Sequence, residues 1–165
     1  MRKYAIIYDK DLCMGHNSCQ VACKLEHNLP VGPKWIYTVT VGPQQKGGKL
    51  VLTFKNIRCM HCGNPPCIPA CPEGAISQRA DGIVLIDPKL CTGCKACIEA
   101  CPFGAPQFNP ETNLVEKCTL CAHLVDKGLK PACVRACPSG ALKFGDINKL
   151  TEELAKKRVK ATVPA

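Results

Sequence analysis

Fifteen cysteines stand in this chain, and their spacing is more informative than their number. The run Cys91-Thr92-Gly93-Cys94-Lys95-Ala96-Cys97-Ile98-Glu99-Ala100-Cys101-Pro102 reads C-x2-C-x2-C-x3-C-P, the spacing by which thiolates hold iron–sulfur clusters. Three cysteines two residues apart let a tight loop offer three thiolates to one cluster. The fourth, one residue farther on, is expected where a short helix begins, facing the other way, so that it serves a neighbouring cluster. Gly93 relieves crowding where the backbone must come close to inorganic sulfide, and Pro102 ends the loop and fixes its exit.

The same run recurs, with variations. Group one is Cys13, His16, Cys19 and Cys23, with histidine at the second position. Group two is Cys59, Cys62, Cys67 and Cys71-Pro72, opened by Asn64-Pro65-Pro66, which forces an extended bulge. Group three is the run above. Group four is Cys118, Cys121, Cys133 and Cys137-Pro138, with residues 122–132 inserted as a helical or looped surface excursion. Four groups form an internal repeat and imply two pairs, each tied together by exchange of its fourth ligands. The pairing predicts one cluster on Cys59, Cys62, Cys67 and Cys101 and its neighbour on Cys91, Cys94, Cys97 and Cys71. The outer pair is then Cys118, Cys121, Cys133 and Cys23 for one cluster, and Cys13, His16, Cys19 and Cys137 for the other. Three to four [4Fe-4S] clusters follow. At the His16 site three readings stand open: imidazole ligation, as in Rieske centres, a [3Fe-4S] cluster, or no cluster. His61, between two ligands, reads as a hydrogen-bonding loop residue, and His123 as solvent-facing or hydrogen-bonded.

The elements that must position these groups are short. Tyr4–Tyr8 reads as a strand leading into group one. Residues 35–41 and 49–54 read as strands of a hairpin across a turn-rich spacer at 42–48, with Trp35 packed beneath. Residues 75–87 supply a hairpin with an Asp-Gly turn, and Gln107–Val115 a second. Asn148–Lys160 reads as a helix capped by Asn148, acidic early and basic late, as the helix dipole favours. The fold class is therefore α+β: tandem bacterial-ferredoxin-like lobes of small antiparallel hairpins and short helices around iron–sulfur clusters. Residues 1–30 and 112–147 form the outer lobe, 55–111 the inner lobe, 31–54 an inserted hairpin and 148–165 a C-terminal helical tail.

Composition excludes several alternatives. With 5% aromatics in 165 residues, the chain depends on metal or disulfide staples more than on a large apolar core. An odd number of cysteines in groups of four, without a signal-peptide core, favours metal in a reducing cytoplasm over disulfides. No apolar run is long enough to span a membrane. The formal charge of +9 invites a nucleic-acid reading, but four cubanes with their thiolates bring roughly −8, so the basic excess balances cluster charge. A zinc-knuckle module is disfavoured, because zinc sites close with paired Cys-x2–4-Cys units. No dinucleotide glycine pattern, phosphate loop or nucleophile–base set is present, so no catalytic role is expected of the chain itself.

The segments Cys59-Met60-His61-Cys62-Gly63-Asn64-Pro65-Pro66-Cys67, Cys118-Thr119-Leu120-Cys121-Ala122-His123 and Lys127-Gly128-Leu129-Lys130-Pro131-Ala132-Cys133 closely resemble the four-cluster iron–sulfur subunits of molybdenum and tungsten oxidoreductases. Those subunits partner enzymes such as dimethyl sulfoxide reductase, polysulfide reductase and formate dehydrogenase. The compact length looks more like short forms serving tungsten enzymes of the aldehyde ferredoxin oxidoreductase kind, including tungsten-dependent benzoyl-CoA reductases. The resemblance spans residues 5–145 and departs from the family pattern at His16. It implies an electron-transfer subunit relaying single electrons between a large tungsten- or molybdenum-pterin catalytic subunit and a further redox donor or acceptor protein. A free-standing polyferredoxin carrier is the alternative.

Overall fold

The computed structural model describes residues 3–162, with side chains described to residue 156. Four two-stranded antiparallel sheets alternate with the four cysteine groups. Strand β1 (Tyr4–Tyr8) leads into group one and helix α1 (Ser18–Glu26), and β2 (Ile36–Lys46) pairs with β3 (Lys49–Arg58). After group two, β4 (Ile76–Gln78) pairs with β5 (Val84–Ile86). Group three carries α2 (Ala96–Glu99) and is followed by the hairpin of β6 (Gln107–Asn109) and β7 (Leu114–Glu116). Group four carries α3 (Ala122–Val125) and α4 (Ala132–Arg135), and β8 (Leu142–Asp146) runs directly into α5 (Ile147–Thr162). The fourth sheet joins opposite ends of the chain: β8 pairs with β1 from Tyr4 opposite Asp146 to Tyr8 opposite Leu142. The elements thus close into a ring in which groups one and four become neighbours.

Two apolar cores fill this ring. One gathers Ile6, Trp35, Ile36, Ile83, Leu120, Val125 and Leu142 around Cys19, Cys23, Cys118 and Cys133. The other sets Ile76, Val84 and Val115 against Cys67 and Cys97. Strands of three residues bury too little to persist alone, so thiol-bearing loops and hairpins are stable only together.

Several elements differ from their sequence expectation. The hairpin of β2 and β3 is longer: residues 44–46 continue β2 past a register shift at Gly42–Pro43, a cis peptide, and only Gly47 and Gly48 turn. Its outer half is exposed on both faces, with Leu50 and Leu52 in solvent. The fourth cysteine does not begin a helix. Cys97 sits inside α2 and Cys101 follows its end, because Pro102 blocks continuation. Group one has no such proline: Lys24 follows Cys23, and α1 carries Cys19 and Cys23 together and continues to Glu26. The cap of α5 is Asp146 instead of Asn148, its Oδ1 accepting from the amides of Asn148 (2.9 Å) and Lys149 (3.3 Å). That helix lies on the closing sheet through buried Leu150, whose Cγ is 3.7 Å from where a Cβ on Gly145 would stand. The late basic residues Lys157 and Arg158 lie beyond the described side chains.

Candidate metal centres

The loop of group three depends on left-handed backbone at Gly93 (φ 72°), where an added Cβ would stand 2.3 Å from the Asn113 carbonyl oxygen. Any side chain there would push the β6–β7 turn off the loop. Cys71, Cys91, Cys94 and Cys97 line one cavity, walled by Ile76, Ile86 and Val115. Cys59, Cys62, Cys67 and Cys101 line a second, closed by Pro65, Pro66, Pro102, Phe103 and Lys117. Each cavity therefore takes three thiols from one group and the fourth from the other. The Asn64-Pro65-Pro66 bulge is a wall of its site, its Pro65 carbonyl accepting from the Ile68 amide.

The outer thiols are read from their mutual electrostatics. Burial, and then the thiolates of Cys118, Cys133 and Cys121, push the Cys23 thiol far above its ordinary range. Burial raises Cys19, with Cys137 and Cys13 adding to it against hydrogen bonds from Thr38 and the Gln20 amide. Burial also lifts Cys97 to about 11 and Cys118 to about 12. Cys137 moves the other way: amides of Leu142, Ser139 and Ala141 and the Ser139 hydroxyl outweigh burial. Crowded, buried thiols resist ionising in an empty site, and a positively charged iron core is the group that would relieve them.

These influences also show which thiols are neighbours. Cys19 acts on Cys23, Cys59 on Cys118, and Cys67 on Cys97. Cys13, Cys19 and Cys137 are thus near one another and near Cys23, while Cys23, Cys118, Cys121 and Cys133 are near one another and near Cys59, a thiol of the second cavity. Cys94 is the one exposed cysteine.

Amide groups also turn towards sulfur: His61 to Cys59 (3.5 Å), Ala105 to Cys101 (3.5 Å) and Leu120 to Cys118 (3.4 Å). Cavities each lined by four thiols, and amides aimed at sulfur, fit [4Fe-4S] clusters.

Three polar residues near the thiols were not legible beforehand. Lys117, 3% exposed, donates from Nζ to the carbonyl oxygens of Val84 and Cys118. It lines the Cys59 cavity and favours the thiolates of both Cys67 and Cys118. His27 packs at a tilt against Trp35, ring centroids 4.6 Å apart, and places Nε2 3.3 Å from Cys121 Sγ. Arg58, 6% exposed, ties β3 to β1 through the Ile6 carbonyl at 2.5 Å. Of the histidines singled out from sequence, His61 is 2% exposed and its Nδ1 accepts from the Val84 amide at 3.0 Å. His123 pairs with Glu26 at 2.7 Å. Trp35 is buried, as expected, but packs on His27 at the foot of the hairpin.

Comparison with known proteins agrees with this geometry. A family model described as a 4Fe-4S dicluster domain matches residues 50–147. The chain is 44% identical over 134 residues to a subunit of the tetrathionate reductase of Salmonella typhimurium, covering 79% of this chain and 52% of that relative. It is 38% identical over 161 residues to a putative dimethyl sulfoxide reductase iron-sulfur subunit of Halobacterium salinarum, covering 80% and 62%. It is 36% identical over 133 residues to one of the chains of the polysulfide reductase of Wolinella succinogenes, covering 79% and 70%. The chain thus spans between about half and two thirds of the length of most of these relatives. No described helix is long and apolar enough to cross a membrane. On its matched domain and these relatives, the protein belongs to the family of the 4Fe-4S dicluster domain.

Proposed function

We propose that this chain is a four-station electron relay between a pterin-cofactor catalytic subunit and a second redox protein. The four thiol sets carry the reading. The ligand sets are Cys13, His16, Cys19 and Cys137; Cys23, Cys118, Cys121 and Cys133; Cys59, Cys62, Cys67 and Cys101; and Cys71, Cys91, Cys94 and Cys97. The first two belong to an outer lobe built from residues 1–30 and 112–147, the last two to an inner lobe at 55–111. A bound cubane supplies a one-electron couple whose potential follows its charge, hydrogen bonds and exposure. The chain's own part is to fix the spacing of the sets, exclude water from the middle two and leave Cys94 at the surface, where a partner's redox centre can approach.

Substrate chemistry belongs to the partner's cofactor. The named relatives serve reductases of oxidised sulfur compounds, which supports a molybdenum-pterin partner. The resemblance of the cysteine groups also admits a tungsten enzyme of the aldehyde ferredoxin oxidoreductase or benzoyl-CoA reductase kind, and cytoplasm is the compartment we infer for it. Iron and acid-labile sulfide analysis of anaerobically prepared protein tests the relay. About sixteen irons per chain are expected, and protein free of sulfide would refute it. Co-purification from the host with a large subunit separates a dedicated subunit from a free polyferredoxin carrier.

A further inference from the structure

We propose that His16 ligates iron through Nε2 in the outermost thiol set, and that Ser18 holds the ring in the tautomer this requires. The inference rests on the four-cluster reading and concerns how its one irregular set is completed.

The backbone places His16 where a ligand belongs. Gly15 (φ 70°) and Asn17 (φ 57°) flank it in left-handed conformation, as Gly93 (φ 72°) and Lys95 (φ 68°) flank Cys94. Groups two and four share only the first of these: His61 and Leu120, each before the second cysteine, are left-handed, but the residue after that cysteine is not. Group one is therefore folded like group three, with imidazole in the position of the Cys94 thiol. An added Cβ on Gly15 would stand 2.3 Å from the Phe54 ring of β3, so the hairpin presses this loop into shape.

Ser18 supplies the partner that ligation through Nε2 requires. Ser18 Oγ lies 2.6 Å from the Ala136 carbonyl oxygen, which only accepts, so the hydroxyl proton is committed there. The same Oγ lies 3.0 Å from His16 Nδ1. With its proton spent, the oxygen can accept from Nδ1, and the Ser18 amide also points at that nitrogen at 3.4 Å, donating to it when Nδ1 is unprotonated. Both contacts fall on Nδ1 and leave Nε2 without a hydrogen bond among the described residues. Iron on Nε2 would place the ring hydrogen on Nδ1, where the Ser18 oxygen accepts it. Metal-bound histidines show this arrangement, one nitrogen to the metal and the other N–H given to an oxygen.

Ser18 does a second thing. Ala136 immediately precedes Cys137, the fourth thiol of the same set, so one hydroxyl bridges the histidine loop and the segment that delivers the closing ligand. In group three the equivalent residue is Ala96, beside a cysteine that needs no orienting partner. Ser18 is a positioning residue, and His16 the ligand it serves.

The test uses the full chain, anaerobically loaded and labelled with 15N-histidine. Iron and sulfide are counted, cluster potentials titrated, and nitrogen couplings measured by pulsed magnetic resonance on the reduced protein. Expected are about sixteen irons and a histidine nitrogen coupled to one cluster. His16→Cys should keep the iron, abolish the coupling and lower that cluster's potential, since thiolate restores a negative charge. Ser18→Ala should weaken or shift the coupling while the other three clusters keep their potentials, and Ser18→Thr should restore it. About sixteen irons without histidine coupling, or about twelve with three intact clusters, overturns the ligand assignment and leaves the relay standing. A coupling unmoved by Ser18→Ala overturns the role of Ser18. Protein without sulfide overturns both.

Discussion

Single side chains set what each station is worth. Lys117 brings a buried ammonium within reach of two neighbouring thiol sets, and a positive charge there favours the electron-rich state of both. Lys117→Met keeps the volume and removes the charge. The potentials of the two middle clusters should fall together, on the order of 59 mV or more each, which is a tenfold change for one electron. The outer two should hardly move. Redox titration with spectroscopic resolution of the four centres checks this, and equal shifts in all four would show a general loosening instead. Lys117 was invisible in the sequence because a lysine before a cysteine is normally read as surface charge. Its burial follows from the carbonyls of Val84 and Cys118, one from a strand of another hairpin, and long-range acceptors leave no local trace. His16 was legible as an irregularity, since it breaks a repeat that the other groups keep. Its partner Ser18 was not, because the carbonyl it donates to, that of Ala136, lies far along the chain.

Among the elements, the hairpin of β2 and β3 divides into a half that touches the thiols and a half that touches nothing described. Near its base, Thr38 Oγ1 is 3.9 Å and Asn56 Nδ2 4.0 Å from Cys19 Sγ, and the Phe54 carbonyl accepts from Tyr8 at 2.6 Å. Beyond Val41 its side chains are largely exposed. Replacing residues 43–52 with a two-residue turn should leave iron content and all potentials unchanged, whereas Phe54→Ala should release the Gly15 loop and shift the outermost cluster alone. Loss of iron from the shortened hairpin would show that its outer half supports the fold. Alternation of β-branched residues revealed that a hairpin was there. Its length was hidden by Gly42-Pro43, which reads as a stop but is absorbed as a register shift between two paired stretches. The small hairpins at 76–86 and 107–116 were legible because turn residues bracket them closely. The helix at 18–26 was masked by its ligands, since a cysteine run looks like loop until the missing proline after Cys23 is given its weight.

At the scale of the whole molecule, two cores are held together by polar ties as well as by packing. Arg79, at the end of β4, grips Asp126 beyond α3 at 2.6 and 3.0 Å and Asp81 at 3.0 Å. These guanidinium contacts hold the Asp126 carboxyl below its usual range, so the tie is complete at neutral pH and weakens only as acid protonates the carboxylate. Asp126 is exposed, so the pair is small in energy. Asp126→Asn should lower the unfolding temperature of the loaded protein slightly in dilute buffer. The difference should vanish in about 1 M salt, where the screening length is about 3 Å, and a difference that survives salt would assign the effect to packing. The pairing of β1 with β8 has a consequence for biogenesis. On the proposed ligand sets, the inner sites have all their cysteines during vectorial synthesis once Cys101 has left the ribosome, while the outer sites wait for Cys133 and Cys137. A nascent chain can therefore mature half of its wire while the other half is still unmade, and the strand that seals the ring emerges only after the last ligand. Quality control acting on that final pairing would inspect the most error-prone step of assembly, because an unsealed ring betrays a missing outer cluster.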